Sequence, residues 1–196
     1  MFDIECSGTL LGHHDLIQFG AIAVCGSDLE YEIPFPEYRA KPGLSANMIA
    51  PYFKNEPNPE SMEVNGLDWD AVCEFGEAPE AFLERFYAWV SELRSRDDVD
   101  RVVMVGHGIV FDWSFFKLLY DTHRDDWPCH YSGMDFKSWY GGQHSLEYIH
   151  SSMTHMREEL GIGPNPAAHD ALADARYQLE FMMRAFEQAK MIKRTR

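Results

Sequence analysis

The sequence predicts an α/β domain with a mixed central β-sheet flanked by helices, and three observations carry that expectation. Strand-like segments crowd the first 35 residues, apolar stripes at helical spacing fill the second half, and short apolar runs separate those stripes. In that order the early strands form a three-strand antiparallel meander, and later strands join in parallel through crossover helices.

The first three segments are Met1–Glu5, Leu16–Cys25 and Tyr31–Phe35, rich in Ile, Val, Phe and Tyr and parted by glycine-containing turns. From Pro36 to about Ala78 the prolines at 42, 51, 57 and 59 predict an irregular, insertion-like loop over about 37–78. A loop of that length in a compact domain is functional or covers something. Pro79 suits a first helical turn, and Phe82, Phe86, Trp89 and Leu93 then recur as a core-facing stripe. Arg101–Val105 reads as a short buried strand ending at Gly106, followed by a helix across Trp113–His123 and a last short strand within Cys129–Phe136. Leu146, Ile149, Met153, Met156 and Leu160 make a second helical stripe stopped by Gly161. The third and clearest runs through Leu172, Ala175, Leu179, Met182 and Phe186.

Residues 1–196 fit one domain, and 45% hydrophobic with 14% aromatic content excludes a disordered chain. The longest apolar stretch, Leu16–Cys25, is broken by Gln18 and Gly20, so no membrane span is expected. The start Met-Phe-Asp-Ile-Glu lacks the basic and apolar parts of a signal peptide, which makes a cytoplasmic location the default. Cys6, Cys25, Cys73 and Cys129 lie far apart without a C-x-x-C pair, and reduced, mostly buried thiols are expected. A net charge of −15 argues against a broad basic surface gripping a long polyanion, and favours short substrates. The basic tail Lys190–Arg196 fits a solvated helix end or a weak nucleic-acid contact.

The acids are the informative residues. Asp3 and Glu5 lie two apart in an extended segment, so both project from one face; the pair fits a solvated edge strand as well as a site. Asp112 follows a buried strand at a helix start, a place for site residues and for helix caps alike. His169 stands at the mouth of a helix and Asp174 in its first turns. Five residues apart on a helix is about 140° of rotation, which suggests separate roles, Asp174 as ligand and His169 as a base. His13-His14 lacks supporting carboxylates. His150 and His155, five apart on a predicted helix, make a poor zinc pair. Trp113, Phe115 and Phe116 fit base stacking or packing, with packing favoured for at least one phenylalanine.

Together the segments resemble the DEDDh exonucleases, the superfamily of proofreading exonucleases, ribonuclease T and oligoribonuclease. Phe2-Asp-Ile-Glu-Cys-Ser-Gly8 matches its first motif, F-D-x-E-T-x-G. Gly106-His-Gly-Ile-Val-Phe-Asp-Trp-Ser-Phe115 matches G-H-N-x-x-F-D-x-x-F, and His169-Asp-Ala-Leu-Ala-Asp-Ala175 matches H-x-A-x-x-D-A. Val64-Asn-Gly-Leu67 and Met134-Asp-Phe136 add smaller echoes. Cys6-Ser7 stands where the family has Thr-Thr, and Gly108 where it has Asn.

The resemblance implies a ribonuclease H-like fold and 3′→5′ exonuclease activity on single-stranded RNA or DNA 3′ ends. It implies two Mg²⁺ or Mn²⁺ ions held by Asp3, Glu5, Asp112 and Asp174, with Asp3 shared, and His169 as general base. Substrate contacts would fall at Cys6, Ser7, Gly8, Asn65, Phe111 and Phe115, and a homodimer is compatible with it. The chemistry suits the residues, because oxygen ligands suit these ions and four converging acids without metal would repel one another. The alternative is a catalytically silent nucleic-acid-binding or polymerase-associated module, which would have no need of all five residues.

Overall fold

The computed structural model describes residues 1–25 and 31–194, with side chains described as far as 189. The basic tail expected at 190–196 therefore lies outside the described side chains.

The chain forms a three-stranded antiparallel sheet, β1 (Phe2–Cys6), β2 (Leu16–Cys25) and β3 (Tyr31–Pro34), in the order β1-β2-β3. A parallel pair, β4 (Val105–Gly106) with β5 (Met134–Asp135), completes the strands. The helices are α1 (Pro59–Asn65), α2 (Trp69–Phe75), α3 (Pro79–Arg94), α4 (Val110–His123), α5 (Phe136–His144), α6 (Met153–Leu160) and α7 (Ala171–Arg194). The antiparallel meander and the parallel pair reached through helices match the expected fold class.

β2 is the spine of the core. Phe19 meets Phe35, Phe82, Phe86 and Phe116 at ring-centroid distances of 5.4, 5.3, 5.7 and 4.9 Å, so one strand residue ties β3, α3 and α4 together. Phe82, Phe86, Trp89 and Leu93 are buried as the α3 stripe predicts. Trp113 packs on Trp127 at 5.4 Å, and Phe115 and Phe116 are buried, so all three are packing residues.

Some expectations fail, each for a local reason. The proline-rich loop contains α1 and α2. Pro59 sits at the N-terminus of α1, where a missing N–H costs nothing, and the Asn58 side chain accepts from Ser61 N at 3.0 Å. Asp68 caps α2 in the same way, accepting from Ala71 N at 2.7 Å. The strands expected at Arg101–Val105 and Cys129–Phe136 shrink to two paired residues each. α5 was hidden by its two glycines, Gly141 and Gly142. The stripe from Leu146 is not one helix: a 3₁₀ turn (Tyr148–Ser151) precedes α6, and Ile149 is 65% exposed. That break brings the His150 and His155 rings to 5.3 Å, a closeness that an unbroken helix would not give. All four cysteines are free, but only Cys6 and Cys129 are buried, and Cys73 is exposed. Among the described residues no helix is long and apolar enough to cross a membrane.

Candidate active site

The site forms where β1, the start of α4 and the start of α7 meet. The alternation of β1 buries Phe2, Ile4 and Cys6 and leaves Asp3 and Glu5 together on the other face. In the β1–β2 register Asp3 faces Gly20 and Glu5 faces Gln18. Those two β2 residues bring α7 in. A Cβ on Gly20 would lie 2.2 Å from backbone atoms of Ala171 and Leu172, so only glycine admits this approach. The buried Gln18 carboxamide accepts from Ala171 N at 3.2 Å and donates to Asp170 Oδ2 at 3.3 Å. Asp170 accepts from Ala173 N at 3.1 Å, capping the first turn of α7.

Asp174 then points back at the loop before its helix. Its Oδ1 accepts from Asn165 Nδ2 at 2.6 Å and its Oδ2 from His169 N at 2.7 Å. His169 lies outside α7 with φ of 68°, so the 140° helical separation from Asp174 does not apply to it. Its exposed side chain instead joins Glu5 and Asp174, one ligand atom from each lying within 4.8 Å of the others. Among the described residues this is the one group of three such side chains placed to hold a metal ion.

Asp112 sits in the first turn of α4, where the helix N-terminus favours an anion. Gly108, just before it, has φ of 73° in open space. Its N–H and that of Ile109 donate to Asp135 Oδ1 at 2.8 and 3.4 Å. The Asp of Met134-Asp-Phe136 thus anchors the turn that presents Asp112, and it also caps α5.

The structure brings all four acids together, and their protonation records it. Burial first, then Asp112, Asp174 and Glu5, hold the Asp3 carboxyl well above its ordinary range. Burial and the charges of Asp174, Asp112 and Asp170 push Glu5 up to about 8. Burial raises Asp112 to about 7 against backbone hydrogen bonds at Asp112 and Ile4. Asp174 is also raised by burial, opposed by its bonds to His169 and Asn165. Such a cluster is expensive without cations. Its all-oxygen acids fit Mg²⁺ or Mn²⁺, with one imidazole at the rim.

Of the expected substrate contacts, Cys6, Gly8, Asn65 and Phe111 line an open groove beside Glu5, together with Thr9, Glu60 and Val64. Ser7 does not reach it. Its buried hydroxyl accepts from Asp15 N at 2.8 Å, and Asp15 in turn accepts from Tyr52 N and Phe53 N at 2.7 and 2.8 Å. Phe115 is likewise spent on the core, beneath the 42% exposed Phe111 at 4.8 Å. Asn65 donates to Cys6 O at 3.2 Å, which fixes the groove wall. His14 is structural too, its ring accepting from Leu10 N at 3.0 Å.

Sequence reasoning missed Gln18, Asn165 and Gln178. Gln178 Nε2 donates to Asp3 Oδ1 at 2.6 Å, and its Oε1 accepts from His107 N at 3.0 Å. The signal for Gln18 was a lone polar residue within an apolar strand. For Gln178 it was a carboxamide one turn beyond Asp174.

An RNase T exonuclease family model matches residues 1–182, and the chain belongs to that family, the DEDDh 3′→5′ exonucleases. It is 29% identical over 182 residues to the 3′-5′ DNA exonuclease Cap18 of Escherichia coli, covering 91% of this chain and 86% of that protein. Among solved structures it resembles the nuclease domain of 3′hExo, a DEDDh family member bound to rAMP. There the TM-score is 0.72 at 15% identity, over 95% of this chain and 90% of the other. E. coli exonuclease I in complex with a dT13 oligonucleotide gives a TM-score of 0.70 at 19% identity. That match spans 93% of this chain but 39% of exonuclease I. At such identities the structural likenesses establish the fold, while the family match carries the exonuclease class.

Proposed function

We propose that this exonuclease removes nucleotides from the 3′ ends of single-stranded DNA, favouring short substrates, with Asp3, Glu5, Asp112 and Asp174 holding two divalent ions. The observation that carries the reading is the convergence of four acids whose carboxyls are all raised by burial, those of Asp3 and Glu5 also by the charges around them, with the His169 imidazole beside Glu5 and Asp174. When bound, two Mg²⁺ or Mn²⁺ ions stabilise the charge that builds on the attacking and leaving oxygens of a phosphodiester.

The chain's own residues do the rest. His169 takes the proton from the attacking water, the general-base task that an imidazole most often performs. Its exposure lets the proton pass on to solvent. The groove of Cys6, Gly8, Asn65 and Phe111 receives the terminal nucleotide, the exposed face of Phe111 offering a surface for stacking. DNA is favoured by the likeness to Cap18, and short substrates by the charge of −15, which repels a long phosphate chain away from the site.

The test is release of mononucleotides from matched 5′-labelled DNA and RNA oligonucleotides, with Mg²⁺, Mn²⁺ or excess EDTA. A ladder shortening from the 3′ end, faster on DNA and absent in EDTA, is expected. Full activity in EDTA would refute the metal reading, and faster RNA cleavage would refute the choice of DNA.

A further inference from the structure

We propose that Gln178 is a positioning residue that fixes Asp3 for metal binding. The proposal rests on the reading of Asp3 as a metal ligand. Three pieces of geometry carry it. Gln178 lies four residues beyond Asp174 on α7, so one helix face presents both toward β1. Its Nε2 donates to Asp3 Oδ1 at 2.6 Å, the one side-chain hydrogen bond to Asp3 among the described residues. Its Oε1 accepts from His107 N at 3.0 Å.

The second bond decides what the first can do. A carboxamide can turn over and present oxygen in place of nitrogen. Here a backbone N–H fixes the oxygen end, so the NH₂ end must face Asp3. One side chain thereby joins the first strand, which carries Asp3 and Glu5, the helix carrying Asp174, and the turn that leads into the helix carrying Asp112.

The choice of a neutral donor is informative. An arginine or lysine at this position would also orient Asp3, but its charge would compete with a divalent ion for the same carboxylates. A glutamine orients one oxygen and leaves the negative charge for the ion. Partners of this kind around metal ligands typically change metal affinity by about 10- to 100-fold when removed.

The experiment measures Mn²⁺ binding calorimetrically, without nucleic acid, for wild type, Gln178→Met, Gln178→Asn and Asp3→Asn. Met keeps the length without the donor, and Asn keeps the amide but is one methylene short of Asp3. Both should weaken Mn²⁺ binding by about 10-fold or more, and raising Mn²⁺ should restore most of kcat, which a merely structural defect would not allow. A Gln178 variant that folds and binds Mn²⁺ as wild type does overturns the proposal, provided that Asp3→Asn loses binding. If Asp3→Asn also binds normally, the ligand reading of Asp3 fails, and this inference with it.

Discussion

At the scale of single residues, Asp3 and Asp174 are costly to the fold and needed by the chemistry, so function and stability should separate on substitution. Asp3→Ala and Asp174→Ala should each abolish turnover without unfolding the protein, since each removes a carboxyl that burial holds above its ordinary range. In EDTA the Tm of Asp3→Ala should not fall below that of wild type. Asp174→Ala should gain less, because it strands two donors, Asn165 Nδ2 and His169 N, where Asp3→Ala strands Gln178 Nε2 alone. Activity assays beside thermal unfolding without metal check both, and wild-type cleavage by either variant removes it from the ligand set. His169 should behave differently. His169→Ala should lower kcat by about 10²–10⁴-fold while oligonucleotide binding persists and Mn²⁺ stays bound through the acids, although the exposed ring lies within ligand reach of Glu5 and Asp174. Lost binding of a non-hydrolysable oligonucleotide would make His169 a contact group instead.

At the scale of elements, the site depends on how closely α7 lies on β2. Gly20 faces Asp3 in the sheet and sits against the Ala171 backbone, so even one methyl group must push the helix away. Gly20→Ala should destabilise the fold by about 1–3 kcal/mol and lower activity more than the lost stability explains, since it moves Asp174 and His169 relative to Asp3 and Glu5. Urea unfolding together with kcat at low temperature tests this, and wild-type values for both would mean that the helix approach is not critical. The same elements show what the sequence could reveal. The β1 acids were legible because strand alternation sets Asp3 and Glu5 apart from Phe2, Ile4 and Cys6. The α3 and α7 stripes were legible because helical periodicity survives without tertiary information. Part of what stayed hidden depends on partners distant in the chain, as with the Gln18 and Gln178 carboxamides; the burial of Ser7 against Asp15 and the helices at Pro59 and Trp69 were hidden although their partners are near, because local caps outweigh a proline-rich composition. The left-handed backbone at His169 was invisible because helical periodicity says nothing of the residue before the helix, and it undid the helical-rotation argument about its distance from Asp174.

At the scale of the whole molecule, the acid cluster should make stability depend on pH in a direction opposite to ordinary acid denaturation. Glu5 titrates at about 8 and Asp112 at about 7 in the fold, against ordinary values of 4.5 and 3.8, with Asp3 and Asp174 also raised. Between about pH 4 and pH 8 the folded chain therefore holds protons that the unfolded chain has released, and stability must fall as pH rises through that window. Three groups work the other way. The buried Met1 amine is lowered to about 5, and His107 and His14 are lowered by burial, His14 also by the neighbouring His13, so each adds stability as pH rises past its folded value toward its ordinary one, 8.0 or 6.5. The cluster is thus best isolated by difference, comparing wild type with Glu5→Gln and Asp112→Asn in EDTA from pH 5 to 8.5. Wild type should lose Tm relative to both variants as pH rises, and Mg²⁺ or Mn²⁺ should recover most of that loss at pH 8 but little at pH 5, because the ion replaces protons that are still bound there. Parallel Tm profiles for wild type and variants would mean that neither burial nor neighbouring charge raises the Glu5 and Asp112 carboxyls in the folded protein, and that the cation requirement must come from the substrate phosphates instead.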